Sequence, residues 1–219
     1  MSEKIRILLL SANPWNTSRI LIDEEAREVF ERLHEGPYRE RFELFNYPAA
    51  RPRDLQRLLL CYRPHIVHFS GHGSKQQRLI LGGLHGRSKT VDPQGLTDVF
   101  ALYNNHVRLV LLNACFTKAQ ARSLAEVVNY SIGASYAIGD KVCVTFAGAF
   151  YRALGFGWSI RDAFESAKAE LTLTKTPRSR GIELFVRSGV SAEDQFPQLN
   201  NHKPAAGVMR SSVRVTSDR

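Results

Sequence analysis

Six short, β-prone apolar runs alternate with stretches of helical periodicity along this chain, and no other feature limits the possible folds so tightly. The runs lie at 4–12, 41–47, 65–70, 107–114, 130–134 and 182–187. Between them, Asp23-Glu24-Glu25 opens a helix with acids at the positive end of its dipole. Ile22, Ala26, Val29, Phe30 and Leu33 recur at helical spacing, and Gly36-Pro37 stops the pattern. Further helices are predicted over 51–62, 93–103, 118–128, 141–155 and 158–173, with Asp92-Pro93 and a Thr117/Gln120 capping box opening two of them. Strands that alternate with helices form a mainly parallel sheet covered on both faces. The run 107–114 is apolar on both faces and belongs near its centre.

In such sheets the functional groups gather at the carboxyl ends of the strands. Two of those ends are unusual. "VHFSGHG" (67–73) finishes in Gly71-His72-Gly73, and "LVLLNACFTKAQ" (109–120) breaks off at Cys115 just before a helix. A thiol is a strong nucleophile only as thiolate, and a helix N-terminus favours that charge. An imidazole from the neighbouring strand end can stabilise the thiolate and later protonate a leaving amine. The backbone N–H groups of Gly73 and Cys115 can donate to the oxyanion of a tetrahedral intermediate, each such donor being worth about 3–4 kcal/mol of barrier. A cysteine ending a buried strand is often only a small packing residue, and Gly-His-Gly alone can be a plain turn. It is the pairing of the two at adjacent strand ends that points to acyl transfer.

Other chemistries fit less well. His65 and His68 fall on opposite faces of one strand, which argues against a metal site built with Cys61, and none is expected. "FSGHG" is not a Gly-x-Ser-x-Gly elbow, so Ser70 is not a nucleophile of that kind. Dinucleotide and Walker-type glycine loops are missing, and no cofactor is expected. Three cysteines without close spacing do not make a disulfide framework; Cys61 and Cys143 fall in helices and read as packing residues. The net charge of +9 and the pI near 9.7 allow an acidic partner. No run of five basic residues occurs, so nucleic acid is not the expected ligand. With no leader pattern and no apolar run near the roughly 20 residues that span a bilayer, a cytoplasmic protein is expected.

His68-Phe69-Ser70-Gly71-His72-Gly73 and Asn113-Ala114-Cys115 together resemble the paired motifs of the CHAT domain, a caspase-like branch of the clan CD cysteine peptidases. The resemblance continues through "ILLLSANPW", "IDEEAREV", "IGASYAIGD" and "FYRALGFGWSIRDAFESA" and covers about residues 4–188. It implies a caspase-like three-layer α/β sandwich around a mostly parallel six-stranded sheet. It also implies His72 as general base, Cys115 as nucleophile, a protein or peptide substrate, no metal, and a place in a bacterial immune or signalling system. An activating sensor or effector-associated partner, or self-association, is expected with it. Relatives commonly carry an acidic residue after the cysteine, where this chain has Phe116. A catalytically silent interaction module with the same surface is the competing reading.

Three finer expectations complete the sequence reading. Asp140 lines a pocket for a basic substrate side chain or, equally, caps the helix 141–155, while the uncharged Asn113 supplies no charged pocket floor. The stretch 74–92 contains a small hairpin turning at Gly82–Gly86 and forms a mobile region beside His72. The peptidase domain covers 1–190, followed by a polar, basic, flexible tail over 191–219.

Overall fold

The computed structural model describes residues 4–175, 181–191 and 196. In chain order, β1 (Ile5–Ser11) is followed by α1 (Ile22–His34), β2 (Phe42–Tyr47), α2 (Leu55–Tyr62) and β3 (Ile66–Ser70). Three short strands come next, β4 (His72–Gly73), β5 (Leu79–Gly82) and β6 (Ser88–Thr90), then α3 (Pro93–Leu102). β7 (Leu109–Asn113), α4 (Lys118–Leu124), β8 (Tyr130–Ala134), α5 (Asp140–Gly155), α6 (Ile160–Leu173) and β9 (Ile182–Val186) complete the order.

Among the described residues the main sheet has six strands in the order β2-β1-β3-β7-β8-β9. The first five are parallel, and β9 runs antiparallel against β8. The period of two along each strand sorts the side chains into two cores. Ile5, Ile7, Ile66, Leu109 and Leu111 pack on α1, α5 and α6, whereas Leu8, Leu10, Val67, Phe69, Val110 and Leu112 pack on α2, α3 and α4. This is the expected three-layer α/β sandwich, with β3 and β7 adjacent at its centre.

Several local expectations change. The capping box at Thr117 and Gln120 does not form. The Thr117 hydroxyl, fully buried, donates instead to the carbonyls of Leu112 and Ala114 and accepts from the Ala134 N–H. Gln120 Oε1 accepts from Leu79 N–H at 2.8 Å, tying β5 to α4. Satisfying these buried backbone groups across elements outweighs a local cap. Helix α4 starts at Lys118 as the periodicity suggested and ends at Leu124, four residues earlier than expected.

The stretch 74–92 contains the expected hairpin, β5 and β6 joined across the turn at Gly82–Gly86. β4, β5 and β6 form an antiparallel sheet of their own, and Leu79, Leu81 and Val91 are buried in the core under α2, α3 and α4. Cys61 is exposed rather than packed, and Phe30, counted on the apolar stripe of α1, is half exposed at 52%. The proposed tail beyond residue 190 lies outside the described residues, apart from Ser191 and Phe196. Phe196 is buried against the α1/α5/α6 core, and the Ser191 carbonyl accepts from the Tyr130 hydroxyl.

The end of α1 meets the end of α5 backbone to backbone. A Cβ on Gly36 would lie 2.0 Å from the Gly155 carbonyl oxygen. Gly36→Ala is therefore expected to force these helices apart, costing about 2–3 kcal/mol and lowering the melting temperature by roughly 5–10 °C. Thermal unfolding followed by circular dichroism checks it.

Candidate active site

Parallel pairing in register sets Ser70 opposite Asn113, so the two unusual strand ends leave the sheet side by side. Past Ser70 the chain bends at Gly71, whose N–H reaches the Asn113 carbonyl at 3.4 Å, and then enters β4. His72 thus belongs to the small sheet, paired with Ile80 on β5, and not to the end of β3 itself. Past Asn113, Ala114 leads to Cys115. Next comes Phe116, a bulky residue in the left-handed region at φ 57°. Such a conformation costs about 1–3 kcal/mol and persists because its surroundings hold it; here Thr117 is pinned and the Phe116 N–H reaches the Tyr136 carbonyl at 3.4 Å.

The closest approach between the two ends is at Gly73. A Cβ there would lie 1.6 Å from the Cys115 carbonyl oxygen and 3.3 Å from its nitrogen, so only glycine allows the backbones to meet. Both His72 and Cys115 are half-buried. His72 Nε2 is buried without a hydrogen-bond partner among the described residues. The Cys115 thiol donates to the Ile138 carbonyl, with Sγ 3.3 Å from the oxygen.

Beneath these ends lies a residue that the sequence reading placed only at a helix dipole. Glu25 is 3% exposed. Its carboxylate accepts from the Ser70 hydroxyl at 2.7 Å and the Asn113 amide at 2.5 Å, and it lies 2.8 Å from His68 Nε2. His68, Ser70 and Asn113 share one sheet face because they alternate with Val67, Phe69 and Leu112. The His68 ring stacks on Tyr151, centroids 5.7 Å apart. The sequence carried one signal of this: Glu25 lies three residues after Ile22 and four before Val29, on the apolar stripe of α1.

Asp140 is the first residue of α5, after Gly139 at the cap position, and so is not itself the cap. It lines a small cavity together with Glu25, Gly71, Asn113 and Cys143. The cavity measures about 20 Å³, room for one water and not for a long basic side chain. The Cys143 carbonyl accepts a second bond from Asn113 at 3.0 Å. Burial pushes the Cys143 thiol well above its ordinary value, and the nearby Glu25, Cys115 and Asp140 push it the same way. It stays protonated at neutral pH, which leaves Cys115 as the better candidate nucleophile of the two. Among the described residues, no helix is long and apolar enough to cross a membrane.

The match to the CHAT domain family runs over residues 9–206, most of the sequence. The chain belongs to the CHAT domain family. Among relatives it is similar to a Roc-COR-CHAT protease from an unknown prokaryotic organism, 25% identical over 130 residues, covering 57% of this chain and 12% of that protein. It is also similar to a protein named "Probable protease" from Gillisia limnaea, 21% identical over 159 residues, covering 69% of this chain and 27% of the relative. The chain thus spans about an eighth to a quarter of these relatives' lengths. Its fold resembles that in the crystal structure of the Arg-specific cysteine proteinase gingipain R, with a TM-score of 0.57 at 9% identity over 83% of this chain and 46% of that one. This CHAT domain therefore has a caspase-like fold.

Proposed function

We propose that this CHAT domain is a cysteine endopeptidase that cleaves a partner protein within a bacterial immune or signalling pathway. The observation that carries the reading is the backbone contact between Gly73 and Cys115, which brings the histidine and cysteine segments together at neighbouring strand ends. His72 takes the thiol proton, and the Cys115 sulfur attacks the scissile carbonyl to form a tetrahedral intermediate. The N–H groups of Gly73 and Cys115 hold its oxyanion. His72 then protonates the leaving amine, and water hydrolyses the acyl-enzyme with His72 as base.

In this arrangement the sulfur donates to the Ile138 carbonyl, and His72 Nε2 has no hydrogen-bond partner among the described residues. The step that switches the enzyme on must release Sγ from the segment between β8 and α5. A partner protein or a second copy that moves this segment is the proposed trigger, in place of ordering the already paired 74–92 stretch. The same contact is what a catalytically silent interaction module would show, and this is the competing reading. Mass spectrometry of cleavage products from cells expressing wild type or Cys115→Ala separates the two. New protein termini that require Cys115 support the peptidase, and identical termini in both support the silent module.

Asp140 is the proposed contact for a basic side chain before the scissile bond, once the small cavity opens. Asp140→Asn is expected to lower kcat/KM for substrates with Arg or Lys there by roughly tenfold or more, leaving neutral side chains little affected. A peptide library with that position varied provides the measurement.

A further inference from the structure

His68 and Asn113 belong to the paired motifs, yet neither has a part in the chemistry above, and Glu25 lies outside both motifs. All three meet at one buried point, with Ser70. We infer that Glu25 is a positioning residue, clamping the carboxyl ends of β3 and β7 so that the segments carrying His72 and Cys115 stay in fixed register. In its kinetic consequences this rests on the peptidase reading.

The geometry is that of a cross-brace. Glu25 comes from α1, which packs along α5 over one face of the sheet. One carboxylate oxygen takes the Ser70 hydroxyl, two residues before His72; the other takes the Asn113 amide, two residues before Cys115. The amide nitrogen of Asn113 also donates to the Cys143 carbonyl on α5, so the brace spans β3, β7, α1 and α5. His68 Nε2 adds a fourth contact to the oxygen that Asn113 uses.

A buried carboxyl is expensive to desolvate, and apolar side chains would fill the space at lower cost. Glutamate in this position is explained if several donors must converge from separate strands on one acceptor. Hydrogen bonds that converge on one buried carboxyl from two strands resist sliding of one strand end past the other. A displacement of about 1 Å between nucleophile and base can cost on the order of a hundredfold in rate, so stiffness here acts directly on turnover. The Tyr151 ring backs His68, and its hydroxyl is buried without a hydrogen-bond partner among the described residues. Burial, reinforced by Glu25, raises that phenol far above its ordinary value, so it is neutral and adds no competing charge.

The test compares Glu25→Ala, which removes the three contacts made by the carboxylate, with Glu25→Gln, which keeps its length and one acceptor. Steady-state cleavage is measured on a Cys115-dependent substrate, at a temperature where each variant is folded by circular dichroism. Glu25→Ala is expected to lower kcat at least tenfold with KM within about threefold, and Glu25→Gln to recover most of the loss. Unchanged kcat in folded Glu25→Ala overturns the inference. So does a loss that only tracks the unfolded fraction, or one that is equal in both variants. Should Glu25→Ala fail to fold, Asn113→Ala and Ser70→Ala each remove one arm and are held to the same kcat and KM criteria. If wild type shows no Cys115-dependent cleavage, the peptidase reading fails by itself. The brace is then judged on iodoacetamide alkylation of Cys115, with the exposed Cys61 as internal reference. Glu25→Ala is expected to raise the Cys115 rate at least threefold over that reference and Glu25→Gln to restore it; an unchanged ratio overturns the inference.

Discussion

Cys115→Ala is expected to lower cleavage of the partner protein by roughly 10⁴-fold or more, the scale seen when a covalent nucleophile is removed. In the proposed mechanism the Cys115 sulfur forms the acyl-enzyme, and neither Cys61 nor Cys143 is suited to replace it. Cys61 is exposed on α2, on the opposite side of the sheet from α1 and α5. Cys143 is held in its protonated form by burial and by surrounding acids. The fold should barely register the change. Cys115 is half-buried and its thiol donates to the Ile138 carbonyl, a bond whose loss costs about 1 kcal/mol. A gel or mass-spectrometric cleavage assay beside a thermal melt checks both halves. Wild-type cleavage rates in the alanine variant would remove the proposed chemistry altogether.

Gly73→Ala should be nearly as damaging to activity, for a different reason. The added methyl would need the space of the Cys115 carbonyl oxygen, 1.6 Å away, and both sides of the clash are backbone. No rotamer relieves it, so either β4 tilts away from β7 or the Cys115 turn shifts. Turning back at Cys115 is hard, because Phe116 already occupies a strained left-handed conformation and Thr117 is fixed by three bonds. The displacement therefore falls on His72 and on the Gly73 N–H proposed for the oxyanion. A kcat loss of about 10²–10³ is expected, the scale of losing an oxyanion donor or base alignment, with a melting temperature lowered by several degrees. Kinetics and thermal unfolding of the purified variant decide it. Near-normal activity would mean that the two backbones are not in contact in the working enzyme.

The strand runs at 65–70 and 107–114, and the helix following each, were legible because burial imposes a period on the sequence that can be counted. The elements observed, β3 with its five buried residues and β7 with its own, lie within one to two residues of those runs. Motif chemistry was legible too, since Gly71-His72-Gly73 and Asn113-Ala114-Cys115 are unusual ways to leave a buried strand. Thr117 and Gln120 misled for a physical reason. Their spacing suits a local cap, but buried backbone groups on Leu112, Ala114, Ala134 and Leu79 compete for the same side-chain atoms, and those partners are distant in sequence. Residues 74–92 were legible in part. The expected hairpin about Gly82–Gly86 is there as β5 and β6, but nothing local showed that Leu79, Leu81 and Val91 are buried in the core.

The sequence by itself determined the layered α/β architecture and which two strand ends are exceptional, because periodicity and turn chemistry are local properties. Only the tertiary structure decided that Glu25 is buried between those ends, that Gly73 touches the Cys115 backbone, and that the sulfur rests on Ile138. Each of these joins residues more than 20 positions apart, and which partner wins depends on register, packing and the satisfaction of buried polar groups together.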